Sequence, residues 1–342
     1  MAHIKYPSIE QFRNAIRNIQ HKTQFKGVDS NGEPIINRNA TLPTLEFIGS
    51  VKLHGTNAAV VVSKSKKIWY QSRERVITAT QDNAGFAAFA ESKTDYWLEL
   101  TNNVTGFDYD CIAIYGEWCG GNIQKNVALA NLPKMFVIFD VCLISDNDTR
   151  YFLNNHEIQD LLKSTSVDAD IKTIWDFKTF SVNIDFNEPI LYQNQLNEIT
   201  ESVESECPVG KALGVSGIGE GVVWKCFVDG YRSPEFWFKV KGEAHSKSKV
   251  KTLATVDVEK YNNINELANK LANKERLAQI AQSVFDLLNG GSLDMKKTSD
   301  FIRAVIADIV KEESDTIALS GILEKDLNSR ISKICVDYLK EV

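Results

Sequence analysis

Six short stretches of this 342-residue chain carry residues suited to group-transfer chemistry. The first is Val51-Lys52-Leu53-His54-Gly55-Thr56-Asn57. Gln71-Ser72-Arg73, Tyr115-Gly116-Glu117 and Phe139-Asp140 follow it. Glu220-Gly221-Val222-Val223-Trp224-Lys225 and Phe238-Lys239-Val240-Lys241 complete the set. A lysine amine is a nucleophile only when neutral, and free lysine titrates near about 10.4. Neighbouring cations and desolvation lower that value, so lysines on another strand can activate it. Lys239 and Lys241 are two apart, so on a strand both point to one face. Two ammonium groups placed that way suit a single phosphate. The lysines continue past them through Lys247, Lys249 and Lys251, a run read either as a solvated linker or as a phosphate-contacting segment.

Other chemistries find no support. The chain has no Walker P-loop, no H-E-x-x-H and no G-x-S-x-G. Its glycine-rich stretch at 214–221 does not follow a clear strand and open a helix. It therefore reads as a loop, not a dinucleotide fingerprint. The six cysteines form no C-x-x-C and no zinc-type cluster. They read as reduced core or strand residues, Cys119 beside Gly120 and Gly121 included.

The elements that must position these residues fall into two textures. Between about 45 and 242, short runs rich in Val, Ile, Phe, Tyr and Trp recur between turn signals. Strands are predicted at 58–62, 68–71, 112–115, 136–141, 222–227 and 236–240, with helices at 83–99 and 154–162. This is α+β texture with antiparallel sheets, not a βαβ alternation. Upstream, Ser8 and Gln11 form a capping-box pattern, and Ile9, Phe12, Ile16 and Ile19 share the face of a predicted helix. After about 255 the period becomes helical. Ile264, Leu267 and Leu271 share one face, Ile302, Val305 and Ile309 another, and Leu323, Leu327, Ile331 and Tyr338 a third. Two domains are expected, at 1–245 and 246–342, the second small and all-helical.

Composition excludes some classes. Lys plus Arg is 39 and Asp plus Glu is 45, a formal net charge of -6, so the chain is no histone-like polycation. A local basic patch is compatible with that average. Hydrophobic content of 43% and charged content of 25% are ordinary for a globular chain. The longest apolar runs fall far short of the roughly 18 residues that span a bilayer. Lys5, Arg13 and Arg17 interrupt any secretory h-region.

Taken in order, the six stretches resemble motifs I, Ia, III, IIIa, IV and V of the covalent nucleotidyltransferases, the ATP-dependent ligases and mRNA capping enzymes. Glu117 continuing to Gly121-Asn122-Ile123-Gln124-Lys125-Asn126-Val127 resembles more specifically the RNA ligase 2 family of phages and related editing ligases. The resemblance covers roughly 45–245. It implies an adenylyltransferase domain of antiparallel sheets with flanking helices and a helical C-terminal domain.

The resemblance also implies roles. Lys52 would be the adenylylated nucleophile, with His54 and Asn57 near its phosphate. Arg73 would contact the sugar and phosphate region, Glu117 the ribose hydroxyl, and Phe139 would stack on adenine beside Asp140. Glu220 would support a metal ion or position the lysines. Lys225, Lys239 and Lys241 would be phosphate contacts. Gln124, Lys247, Lys249, Lys251 and Arg276 would serve RNA, with Asp308 and Glu312 as further polar groups of the helical domain. One departure is Val51, where several family members carry an acidic residue. Singly, each residue has an ordinary alternative: Phe139 as core, Glu117 and Arg73 as surface charges, Asp140 as a turn residue. Their ordered co-occurrence is what lifts them above that.

The implied activity is ATP-dependent joining of a 3′-hydroxyl and a 5′-phosphate RNA end through lysine–AMP and AMP-capped RNA intermediates, with Mg²⁺ or Mn²⁺. A DNA ligase or capping nucleotidyltransferase would instead append a β-barrel after the last lysine motif. A catalytically idle nucleic-acid-binding relative would leave Lys52 unmodified. A cytoplasmic monomer is expected, in the host cytoplasm if the origin is a phage, which the resemblance alone suggests.

Overall fold

The computed structural model describes residues 2–242, 258–285 and 292–341. Lys247, Lys249, Lys251 and the 245/246 boundary lie outside the described residues. Contacts divide the chain into two compact units. One is Met1–Gln20 with Leu42–Ala254, the other His21–Thr41 with Thr255–Val342. The segment 21–41 thus groups with the C-terminal helices, a pairing that chain order does not show.

The first unit is mixed α+β. A five-stranded sheet runs in the order Glu10–Gln11, Phe238–Lys241, Gly221–Cys226, Thr44–Lys52, Thr179–Asp185. A seven-stranded sheet runs Arg150–Phe152, Met135–Ile144, Cys111–Cys119, Thr56–Ser63, Ile68–Ser72, Val76–Ile77, with Ile171–Thr173 paired to Met135–Ile144. Pairing is antiparallel except at Glu10–Gln11 and Ile171–Thr173.

The two-residue period decides what faces the core. On Thr44–Lys52, Leu45, Phe47 and Val51 enter one hydrophobic cluster, joined by Val222, Trp224, Phe238 and Val240 from the neighbouring strands. The opposite face of the same strands is left to Ser50, Lys52, Val223, Lys225, Lys239 and Lys241, which line a cleft. Thr56–Ser63 is buried on both faces. Ala58, Val60 and Val62 meet the main cluster, while Ala59 and Val61 meet a second one with Tyr6, Tyr115 and Trp237. That is why its sequence is a continuous apolar run instead of an alternation.

Two expectations need correction. The first helix starts at Phe12, not at Ser8. Glu10 and Gln11 pair in parallel with Phe238 and Lys239 instead, so ladder hydrogen bonds override the local capping signal. The helix expected at 83–99 is two helices, Phe86–Glu91 and Thr94–Asn102. The helix expected at 154–162 is present as Asn155–Lys163, with Asn154 and Glu157 in a reciprocal capping box.

In the second unit, Phe25–Val28 and Pro34–Ile36 form an antiparallel hairpin. The described helices are Val258–Leu271, Lys274–Val284, Thr298–Ser320 and Glu324–Glu341. They share a core that includes Leu271, Leu277, Phe301, Val305, Ile309, Leu327 and Ile331. Among the described residues no helix is long and apolar enough to cross a membrane.

Candidate active site

The site lies within the first unit, in a cleft of about 310 Å³. Lys52 ends one strand and Lys241 ends another, and each is registered opposite Gly221 on the strand between them. Gly221 has φ +147, and a Cβ there would lie 2.2 Å from the Val240 carbonyl oxygen. Only glycine fits this close approach of backbones. It leaves no side chain between the two lysines. Glu220, the preceding residue, fills the gap: Oε2 accepts from Lys52 Nζ at 2.6 Å and Oε1 faces Lys241 Nζ at 2.6 Å. His54 Nδ1 is 3.6 Å from Oε2. Burial pushes the Glu220 carboxyl up, but the Lys52 and Lys241 charges outweigh it and hold the group below its ordinary value.

Lys239 shares the face of Lys241, as its spacing requires, and donates to the Ile9 carbonyl at 2.5 Å. Burial first, then the charges of Lys241 and Lys52, pull Lys239 below the ordinary lysine value. Glu117 lies directly across the ladder from Asn57, and its Oε1 accepts from the Gly55 N–H at 2.8 Å. Burial raises Glu117 to about 7, against the pull of Lys52 and the Gly55 hydrogen bond. Gln124 holds the same turn from the other side, donating to the Gly55 carbonyl at 3.2 Å.

Lys225 is placed differently from the other lysines. It is 1% exposed and pairs with the fully buried Asp140 at 2.7 Å, not with Glu220. It also donates to the Phe139 carbonyl at 3.0 Å and sits 4.8 Å from the Trp237 ring centroid. Burial pulls both partners toward neutrality, Asp140 upward and Lys225 downward, against their mutual attraction. A phosphate role for Lys225 would have to compete with this pairing. Phe139 itself is the extra residue of a β-bulge, since Tyr115 pairs with Asp140 and Gly116 with Ile138. In a regular strand Phe139 and Asp140 would point to opposite faces. Here both reach Tyr6: the rings are 5.1 Å apart, and the Tyr6 hydroxyl donates to Asp140 at 2.5 Å.

Tyr6 and Ile9 line the cleft and were not signalled by any motif. Tyr6 is an aromatic in a stretch with no strand or helix period of its own. Arg73 lines the cleft as well, its guanidinium 5.9 Å from the Tyr6 ring. The Val51 side chain is turned into the core, so at this position only the backbone can meet a ligand. Cys119 is buried and its thiol is pushed up by that burial, as suits a core residue.

The helical unit gathers three groups expected from the sequence. Arg276 Nε is 3.2 Å from Asp308, and its Nη2 is 3.1 Å from Glu312 and 3.5 Å from Glu313. An RNA phosphate would have to compete with these carboxylates for Arg276.

A resident metal centre does not fit these side chains. Among the described residues no three His, Cys, Asp or Glu groups converge on a point. Both Glu220 oxygens face ammonium groups.

The family model described as RNA ligase matches residues 45–241. No curated protein matches the chain. Among solved structures, a mutant Naegleria gruberi RNA ligase with ATP and Mn is similar at 20% identity and a TM-score of 0.46. A second mutant of that ligase, with AMP and Mn, is similar at 19% identity and a TM-score of 0.45. Each similarity covers 71% of this chain and 57% of the Naegleria chain.

Proposed function

Because the chain belongs to the RNA ligase family, we propose that it is an ATP-dependent RNA ligase of the RNA ligase 2 type, acting through Lys52. The observation that carries this reading is the shared carboxylate, Glu220, which holds Lys52 and Lys241 at 2.6 Å each beside a cleft lined by Glu117, Phe139 and Arg73. Oriented amine, phosphate-binding cations and a stacking ring are what transfer of AMP needs.

In the first step the neutral Lys52 amine attacks the α-phosphorus of ATP. An N–P bond forms, the bond to the bridging oxygen breaks, pyrophosphate leaves, and the amine's proton passes to solvent. Lys239 and Lys241 hold the phosphates, Glu117 accepts from the ribose, and the half-buried Phe139 ring stacks on adenine. A divalent cation, Mg²⁺ or Mn²⁺, carried on the ATP phosphates as part of the substrate would offset their charge. In the second step a 5′-phosphate oxygen of RNA attacks the same phosphorus. The N–P bond breaks, an anhydride forms and the lysine regains its proton. In the third, a 3′-hydroxyl attacks the RNA phosphorus, a phosphodiester forms, AMP departs and a proton is released.

The described residues after 258 are helical, with no strand among them, which favours this type over a DNA ligase or capping enzyme with a β-barrel. Gln124, Lys247, Lys249, Lys251 and Arg276 are assigned to RNA. Mainly phosphate contacts make binding fall steeply with salt. RNA repair in a cytoplasm, by a monomer, belongs to the same proposal. Incubation with α-labelled ATP and Mg²⁺, then denaturation, tests the reading. Label on the chain that is absent from Lys52→Ala supports it. A folded protein that takes no label, and whose mass shows no AMP already attached, overturns it.

A further inference from the structure

The N-terminal stretch before Phe12 forms no helix, and its Tyr6 and Ile9 line the cleft. Ile4 is held at one end by Gln71. The Gln71 amide donates to the Ile4 carbonyl at 2.5 Å, and its Oε1 accepts from the Ile4 N–H at 3.1 Å. Gln71 is 1% exposed, so a buried amide spends itself on one residue's backbone, acting as a substitute strand partner. The Tyr115 hydroxyl donates to the same Ile4 carbonyl at 3.1 Å. At the other end Glu10 and Gln11 join the edge of the five-stranded sheet beside Lys239. Between these anchors Tyr6 bonds Asp140, Ser8 accepts from Arg73 at 3.4 Å, and the Ile9 carbonyl accepts from Lys239.

The stretch therefore ties the two sheets together and seats three site residues, Asp140 and Lys239 from two strands and Arg73 from the bend that follows a third. It also supplies two of the cleft's own walls, Tyr6 and Ile9. It lies wholly outside the family match, which begins at residue 45.

We infer that residues 3–11 are a strap belonging to the nucleotide site, with Gln71 as the positioning residue that seats it, so that nucleotide binds tightly only when the strap is in place. This rests on the reading of the cleft as the ATP site. A ligand that binds one conformation stabilises that conformation by mass action. Nucleotide and strap order are then coupled in both directions.

Two measurements on the full chain test it. In the first, lysine labelling is titrated with ATP in the wild type and in Gln71→Leu, which keeps bulk and removes both hydrogen bonds. The ATP concentration for half-maximal labelling should rise about tenfold, with little change in the plateau rate. An unchanged ATP dependence overturns the strap while the Lys52 reading stands. No label in the wild type overturns both. The second needs no variant and so does not depend on Gln71→Leu folding. Amide hydrogen exchange of residues 3–11 should slow when ATP and Mg²⁺ are added. Unaltered exchange in a protein that takes label overturns the inference.

Discussion

Lys52 Nζ lies 2.6 Å from Glu220 Oε2, yet the two residues are 168 positions apart in the chain. Adjacent strands bring them together, with Lys52 opposite Gly221 in the ladder. Lys241 reaches the other oxygen of the same carboxylate from the far side of that glycine. One buried negative charge thus orders two cations whose mutual repulsion would otherwise spread them. Phosphate groups entering the cleft can take over from the carboxylate as counter-charge.

Glu220→Gln tests this arrangement, since it keeps the shape and removes the charge. The protein should remain folded. Without a fixed amine geometry, lysine labelling should slow by about 10²-fold. Rapid-quench labelling at saturating ATP measures it, and a wild-type rate would show that Glu220 does not position Lys52.

Gly221→Ala places a Cβ 2.2 Å from a backbone oxygen at a φ of +147. Backbone cannot move aside as a side-chain tip can. A loss of about 2–4 kcal/mol in stability is expected, read by urea unfolding. Labelling should fall with it, because the strand carrying Lys241 must move away from the one carrying Glu220's neighbour Gly221.

The Asp140–Lys225 pair is buried on both sides, at 0% and 1% exposure. Asp140→Ala leaves an unpaired ammonium among aromatic rings and should cost about 3–5 kcal/mol. Adding Lys225→Met to it removes the stranded charge and should restore much of the loss. A double variant no more stable than Asp140→Ala alone would contradict the pairing.

Glu117 gives a pH signature. Its carboxyl is raised from 4.5 to about 7 by burial. Between those values the folded protein keeps a proton that the unfolded chain has lost. Stability therefore falls as pH rises through that window and stays lower above it. Glu117→Gln keeps the acceptor for the Gly55 N–H and cannot ionise. It should melt about 2–4 °C above the wild type at pH 8 and level with it near pH 4. Equal melting temperatures at both pH values would place Glu117 in a more polar setting than the structure gives it.

The chemistry-bearing residues were legible because their signals are local. Lys52-x-x-Gly55 spans a strand end and the turn after it, and Lys239 and Lys241 are two apart on one strand, so both can be read without a partner. The same holds for the C-terminal helices, whose 3.6-residue period shows in Leu327, Ile331 and Tyr338, although Leu323, expected on that face, precedes the helix and is exposed. Of the helical face read at Ile9, Phe12, Ile16 and Ile19, Phe12 and Ile19 are buried on the helix, Ile16 packs half-buried against the same core, and only Ile9 falls outside it, in the strap.

What only the tertiary structure decided lies in long-range pairing. No local pattern tells that Glu220 faces Lys52 and Lys241, that Lys225 turns to Asp140, or that a bulge swings Phe139 and Asp140 to one side. Those outcomes depend on strand register, and register is set by which apolar faces find each other across the whole sheet. The strap is the extreme case. It is anchored largely through its own backbone groups, and every residue type has those. The residue types along the chain determined which reaction its side chains are equipped for, while the pairing of distant strands determined which charge answers which.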